Sequence, residues 1–319
     1  WDMGIVEENS YVKLDILGLI NWEWVTNAVE LAGLPRMYSQ SDYIDYEDWS
    51  VIEDIATNST GTIFQLEAQP EATQAMLSPE TIRRVREYNP DITPIQVLSI
   101  LTAAIRPGAK EIRDDVISGK YMDYHIPEIQ EVMKLSYGHL VFQEQQIELI
   151  QLAGFTGGEA DVIRRAVGKK KKDVIDNWIP EFKDKLYDLI ITNHPDADKD
   201  NAKNVVELLS KNLVDSADYA FNLAHSVVYS TVSYQTAWLR KYHPLEWLTA
   251  GYRLWSEDMN ESKRQKIATL NKLAKDRGIK IDRAKYRKSK AHHFFDSTGV
   301  IYEGIKQIKG MNEKVADYL

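Results

Sequence analysis

Helix starts recur through the middle of this chain, and they point to a mainly α fold. Ser78-Pro79-Glu80 and Thr93-Pro94 each set a side-chain acceptor ahead of a proline at the first helical position, where the missing N–H is no loss. Gln96 stands three residues after Thr93 and completes a capping box with it. Apolar residues at helical spacing imply further helices over residues 126–135, 143–152, 160–167, 174–191, 202–213 and 229–239. Two segments break the pattern. Residues 11–19 alternate exposed-type and apolar side chains around a glycine and read as a short strand entering a turn. Phe294-Phe295-Asp296-Ser297-Thr298-Gly299-Val300-Ile301-Tyr302 reads as two short strands joined by a polar, glycine-containing turn. A domain boundary is expected in the polar stretch at 256–264, after an apolar helix ending near Trp255.

A length of 319 residues suffices for two domains, each with its own core. Hydrophobic residues at 44% and charged residues at 27% place the chain with folded globular proteins. Eighteen consecutive apolar residues occur nowhere, and no basic segment followed by an apolar one opens the chain, so neither membrane insertion nor secretion is expected. Cysteine is absent, which excludes disulfides, thiolate metal sites and cysteine nucleophiles and fits a cytoplasmic setting. A net charge of -9 argues against bulk electrostatic coating of nucleic acid. Contact with nucleic acid therefore needs a concentrated patch, and Arg164, Arg165, Lys169, Lys170, Lys171 and Lys172 against Asp161 provide one.

Seven ordered segments carry a resemblance: Val12-Lys13-Leu14-Asp15-Ile16-Leu17-Gly18-Leu19, Thr60-Gly61-Thr62-Ile63-Phe64-Gln65-Leu66-Glu67, Arg106-Pro107-Gly108, Val141-Phe142-Gln143-Glu144-Gln145, the run from Gly158 to Lys171, Phe221-Asn222 with His225, and Ser233-Tyr234-Gln235-Thr236-Ala237-Trp238-Leu239. In this order they resemble the bacterial C-family replicative DNA polymerases, the DNA polymerase III alpha subunits. The resemblance implies the end of a palm over residues 1–22, a helical fingers domain over 23–258, and the start of a helix-hairpin-helix region over 259–319. Because Trp1 is not a start methionine, the chain is expected to be cut or processed, and by the resemblance Leu319 falls inside that last region.

By the same resemblance Asp15 matches the third of three palm aspartates that hold two Mg2+ ions, and Lys13 matches a lysine near the triphosphate. Clustered carboxylates are needed to hold two hard cations. The upstream Pro-Asp-x-Asp motif is absent, so the metal site is expected to be incomplete here. Arg164 and Arg165 match the fingers site for the incoming nucleotide, with Lys169, Lys170, Lys171 and Lys172 on nucleic acid. Guanidinium forks suit phosphate oxygens, although a basic helix end also complements its own dipole. Arg106 and His225 match positions near nucleotide or template. Leu223 and Ala224 replace the family's usual lysine and serine, which marks a divergent member of the kind a phage could encode. Gly304 to Asn312 resembles the start of a helix-hairpin-helix, with Lys309 and Gly310 at the duplex phosphate. Tyr234, Gln235 and Trp238 sit at helical spacing and read as packing. Asp196, Asp198 and Asp200 imitate calcium-loop spacing but fit a capped interhelix loop better, and His292-His293 lacks a third ligand.

The resulting expectation is the central segment of a DNA-directed DNA polymerase, a nucleotidyltransferase that is inactive alone. Its expected partners are template and primer DNA, dNTP, a palm- and thumb-bearing segment or chain, and a sliding clamp with other replisome proteins. The alternative is a non-catalytic DNA- or nucleotide-binding fragment, or a split-polymerase subunit that needs a partner chain.

Overall fold

The computed structural model describes residues 19–38, 40–218, 220–257, 260–311 and 313–318. The expected strand at 11–19, with Lys13 and Asp15, lies outside the described residues except for Leu19, as does Asn312. What is described is mainly helical, with three two-residue strands.

Six helices open the described chain: α1 (Ile20–Leu31), α2 (Trp49–Thr57), α3 (Pro70–Met76), α4 (Pro79–Tyr88), α5 (Pro94–Ala104) and α6 (Lys110–Ser118). The Ser78 and Thr93 side chains cap α4 and α5 as their sequences demand, and the capping box between Thr93 and Gln96 is complete. Helix α5 is buried on every side from Val97 to Ala104, so it forms the axis of a first core. A second core belongs to α7 (Pro127–Met133), α8 (Gln143–Leu152), α9 (Gly157–Gly168), α10 (Lys172–Asn193) and α11 (Lys199–Asp215). Helix α10 runs through Pro180 without ending there.

The chain then returns to the first core. Helix α12 (Leu223–Tyr242) lies along α5, and α13 (Pro244–Trp255) lies along α1. Trp24 of α1 stacks on Trp247 of α13 with ring centroids 4.3 Å apart, and its indole N–H donates to the Trp247 carbonyl at 2.8 Å. Helix α14 (Glu261–Asp276) adds Leu270, Leu273 and Ala274 to this core. Deep inside, Arg240 of α12 is fully buried and shares the Asp54 carboxylate of α2 with Arg277, both contacts at 2.6 Å.

Beyond α14 comes a small sheet of order β1-β3-β2, with β1 (Ile281–Asp282) parallel and β2 (Phe294–Phe295) antiparallel to β3 (Ile301–Tyr302). The hairpin at 294–302 is present, while β1 has no periodicity long enough to announce it. Asp296 closes the turn by accepting from the Thr298 and Val300 backbone N–H groups and the Thr298 hydroxyl, and Gly299 takes φ +79. A short helix α15 (Glu313–Tyr318) follows. Among the described residues no helix is long and apolar enough to cross a membrane.

Candidate nucleotide and nucleic-acid site

After α7 the polypeptide touches the first core again at Tyr137, Val141 and Phe142, runs through the second core, and returns to the first at Phe221, so that Phe142 and Phe221 lie side by side. Phe142 and Phe221 form a parallel bridge, in which the Phe221 N–H donates to the Val141 carbonyl at 3.0 Å and the Gln143 N–H donates to the Phe221 carbonyl at 2.9 Å. Phe142 is wholly buried, which fixes the start of α8. The Gln145 side-chain Oε1 accepts from the Val141 and Phe142 N–H groups at 3.0 Å and holds the segment that enters α8 against it.

Helices α8 and α12 therefore begin next to each other. Glu144 reaches across and accepts from the Leu223 N–H at 2.8 Å and from the Asn222 amide at 2.9 Å, while Asn222 caps α12 by accepting from the His225 N–H at 2.7 Å. A carboxylate at the positive end of a helix satisfies N–H groups that otherwise lack partners.

Arginine and histidine side chains converge on this junction. The Arg106 guanidinium lies 3.7 Å from the centre of the Phe221 ring, a close cation–π contact. The His225 ring meets Phe221 edge-on at 5.5 Å and lies 4.0 Å from the Tyr229 ring. Arg164 on α9 donates through Nη1 to Gln143 at 2.9 Å and through Nη2 to Asp161 at 2.8 Å. Arg165 takes the other Asp161 oxygen at 2.8 Å. The hydrogen bond from Arg164, helped by the Arg165 charge, holds the Asp161 carboxyl below the usual carboxylate range. Arg164 is 21% exposed and Arg165 67%, so the first is fixed by the junction and the second projects to solvent.

The structure thus gathers Arg106, Arg164 and His225 around Phe221 and Gln143, with Arg165 on the shared carboxylate. Lys169, Lys170 and Lys171 continue outward from the end of α9 and are exposed; Lys170 sits at φ +51, and Lys172 opens α10. Lys309 and Gly310 belong instead to an exposed turn after the small sheet, where Gly310 has φ +88. Gln143, Glu144, Phe221 and Tyr229 had no role assigned from sequence, because only folding brings residues 78 positions apart into contact.

Tyr234 is buried on α12, where its hydroxyl donates to the Asp45 and Asp48 carbonyls; Gln235 binds the Tyr38 carbonyl. Asp198 caps α11 by accepting from the Asp200 and Asn201 N–H groups. Among the described residues no three acidic or histidine side chains gather in a metal-binding arrangement. The described part therefore does not by itself fit a two-metal site.

Residues 35–188 match the family model of the bacterial DNA polymerase III alpha subunit finger domain, and similarity to those subunits runs along nearly the whole chain. The chain belongs to the bacterial DNA polymerase III alpha subunit family. The DNA polymerase III subunit alpha of Treponema pallidum is 30% identical over 98% of this chain and 25% of its own length. That of Caulobacter vibrioides is 29% identical over 95% and 24%, and that of Borreliella burgdorferi 28% identical over 100% and 26%. The chain spans about a quarter of the length of these alpha subunits. The finger match covers α9 with Arg164 and Arg165, and Arg106 before α6, whereas α12 with His225 follows it and lies within the longer similarity to the alpha subunits.

Proposed function

We propose that this chain is the nucleotide- and template-gripping segment of a replicative DNA polymerase. The observation that carries the reading is the junction itself: Arg106, Arg164 and His225 surround the paired starts of α8 and α12. Guanidinium forks match phosphate oxygens, and an aromatic face bordered by cations suits a base or sugar. Arg164 and Arg165 take the triphosphate by exchanging Asp161 for phosphate oxygens. Arg106 and His225 position the nucleotide or the template opposite it. Lys169, Lys170, Lys171 and Lys172 follow the nucleic-acid backbone, and Lys309 with Gly310 meets duplex phosphate from a helix-hairpin-helix.

In this reading residues 1–22 end a palm, 23–258 are fingers and 259–319 begin a duplex-binding region. Asp15, with Lys13 beside it, supplies one ligand to a two-Mg2+ site whose other carboxylates come from a different segment. The partners are primer and template DNA, dNTP, the palm- and thumb-bearing segment, and a sliding clamp.

A second reading has one observation in its favour. Glu144 already occupies the amides at the start of α12, and Leu223 and Ala224 offer no cation or hydroxyl there. This suits a segment that binds nucleic acid without completing a polymerase.

The test is protection of Arg164 from an arginine-modifying reagent, read by peptide mass spectrometry. A complementary dNTP with primer–template should protect Arg164. Modification that is unchanged by dNTP contradicts the nucleotide site and favours the second reading.

A further inference from the structure

Residues 283–290 contain Arg283, Lys285, Arg287, Lys288 and Lys290 and no acidic residue, a local charge of +5 in eight positions of a chain whose net charge is -9. They form the connection between β1 and β2, and it is an ordered turn. The Ser289 hydroxyl accepts from the Lys285 N–H at 2.8 Å, and the Lys288 and Ser289 N–H groups both donate to the Lys285 carbonyl. Ser289 is buried beneath the turn while Tyr286 stands 85% exposed at its tip. Arg287 beside it takes φ +60, a conformation a non-glycine residue adopts rarely and only when its surroundings hold it.

The cations fall into two sets. Lys285 is bound to Asp282 at 2.7 Å and Lys288 to Asp296 at 2.9 Å, and these pairs tie the turn to the sheet. Arg283, Arg287 and Lys290 are exposed and meet no carboxylate within ion-pair distance among the described residues. Arg287 instead lies 5.3 Å from the Tyr286 ring centre.

We infer that this turn is a contact for single-stranded nucleic acid, separate from the Arg106 and Arg164 junction, in which Tyr286 stacks on an unpaired base and Arg283, Arg287 and Lys290 take the flanking phosphates. An exposed aromatic ring among cations is the combination that unpaired bases and their backbone recognise together, since every base has a face to stack and every linkage a charge. A duplex offers the charge but keeps its base faces covered. Because the turn is already closed by its own hydrogen bonds, little ordering cost remains for binding. The strand leaving the turn is also anchored: the Ile305 N–H donates to the Lys290 carbonyl at 2.9 Å and the Lys306 N–H to the Ala291 carbonyl at 3.2 Å. The turn is thereby fixed to the segment that leads to Lys309 and Gly310. The inference rests on charge and geometry at residues 283–290 and deepens the nucleic-acid part of the proposed function without depending on the nucleotide site.

The test uses the full chain with fluorescein-labelled oligo-dT and a duplex of equal length, titrated by anisotropy at several salt concentrations. Tyr286→Ala should weaken oligo-dT binding roughly ten-fold and leave duplex binding within two-fold. The triple variant Arg283→Gln, Arg287→Gln, Lys290→Gln should reduce the slope of log affinity against log salt for oligo-dT by about 2, near 0.7 for each phosphate contact removed. All four side chains are exposed, and a melting curve checks each fold. Protection of Arg164 by dNTP should be unchanged in these variants, which separates failure here from failure of the nucleotide site. No oligo-dT binding by the parent chain at low salt overturns the inference, as does unchanged binding by both variants. Equal loss of duplex and single-strand binding in Tyr286→Ala also overturns it.

Discussion

At the scale of single residues, charge chemistry and burial separate the groups proposed to grip nucleotide from the groups that hold the fold. Arg164 and Arg165 share one carboxylate, yet the Gln143 contact fixes only Arg164. Arg164→Lys keeps the charge but loses the planar fork, so dNTP affinity should fall about ten-fold or more, measured by titration calorimetry on the primer–template complex. Arg165→Lys should change it less. His293 behaves in the opposite way, as a structural group. It is buried against Tyr252, and burial, with Arg253 and His292 adding to it, pushes its imidazole down to about 4. The unfolded chain therefore takes up a proton near pH 6.5 that the folded chain refuses until about pH 4. Stability is full above that window and is lost as pH falls through it. His293→Phe should shrink the difference in unfolding free energy between pH 7 and pH 4.5 by about 2 kcal/mol in urea titrations. Both histidines of the His292-His293 pair lack a third metal-ligand neighbour in sequence, and the structure adds that one of them is packed away.

At the scale of elements, contacts between distant helices decide the architecture. Gly251 of α13 faces Trp24 of α1, and a Cβ added there would lie 2.6 Å from the indole ring. Gly251→Ala should destabilise by about 1–3 kcal/mol through overpacking, seen as a lower urea midpoint with an unchanged slope. Asp54 joins α2, α12 and the end of α14 through two arginines. Removing it leaves the buried Arg240 uncompensated, so Asp54→Ala should cost about 3–5 kcal/mol, checked in the same titration. Helix starts at Ser78 and Thr93 were legible because capping is a local code of three or four residues. Strand β1 and the Arg240, Asp54 and Arg277 network were not, because two residues carry no period and a buried ion pair carries no mark in sequence.

At the scale of the whole molecule, two helical cores meet where the chain crosses between them, and the candidate site sits at that crossing. The resemblance matched Arg164 and Arg165 to the incoming-nucleotide site and Arg106 and His225 to positions near nucleotide or template; in the fold Arg106, Arg164 and His225 lie around the Phe142 and Phe221 bridge. Gln143, Glu144 and Phe221 stand in the ordered motifs without a role of their own, and Tyr229 stands outside them, because their roles exist only across the junction. The +5 run at 283–290 was open to counting, but it lies outside the motifs and was eclipsed by the lysines after Arg165. The central claim is that this chain supplies the grip while other carboxylates complete the chemistry with Asp15. Its most direct test is primer extension with Mg2+ by the chain alone, by the chain mixed with a palm- and thumb-bearing segment of the same family, and by the Asp15→Asn variant in that mixture. The expected result is no extension alone, extension in the mixture, and its loss in Asp15→Asn with DNA binding intact. Extension by the chain alone, or full activity of Asp15→Asn in the mixture, would contradict the account.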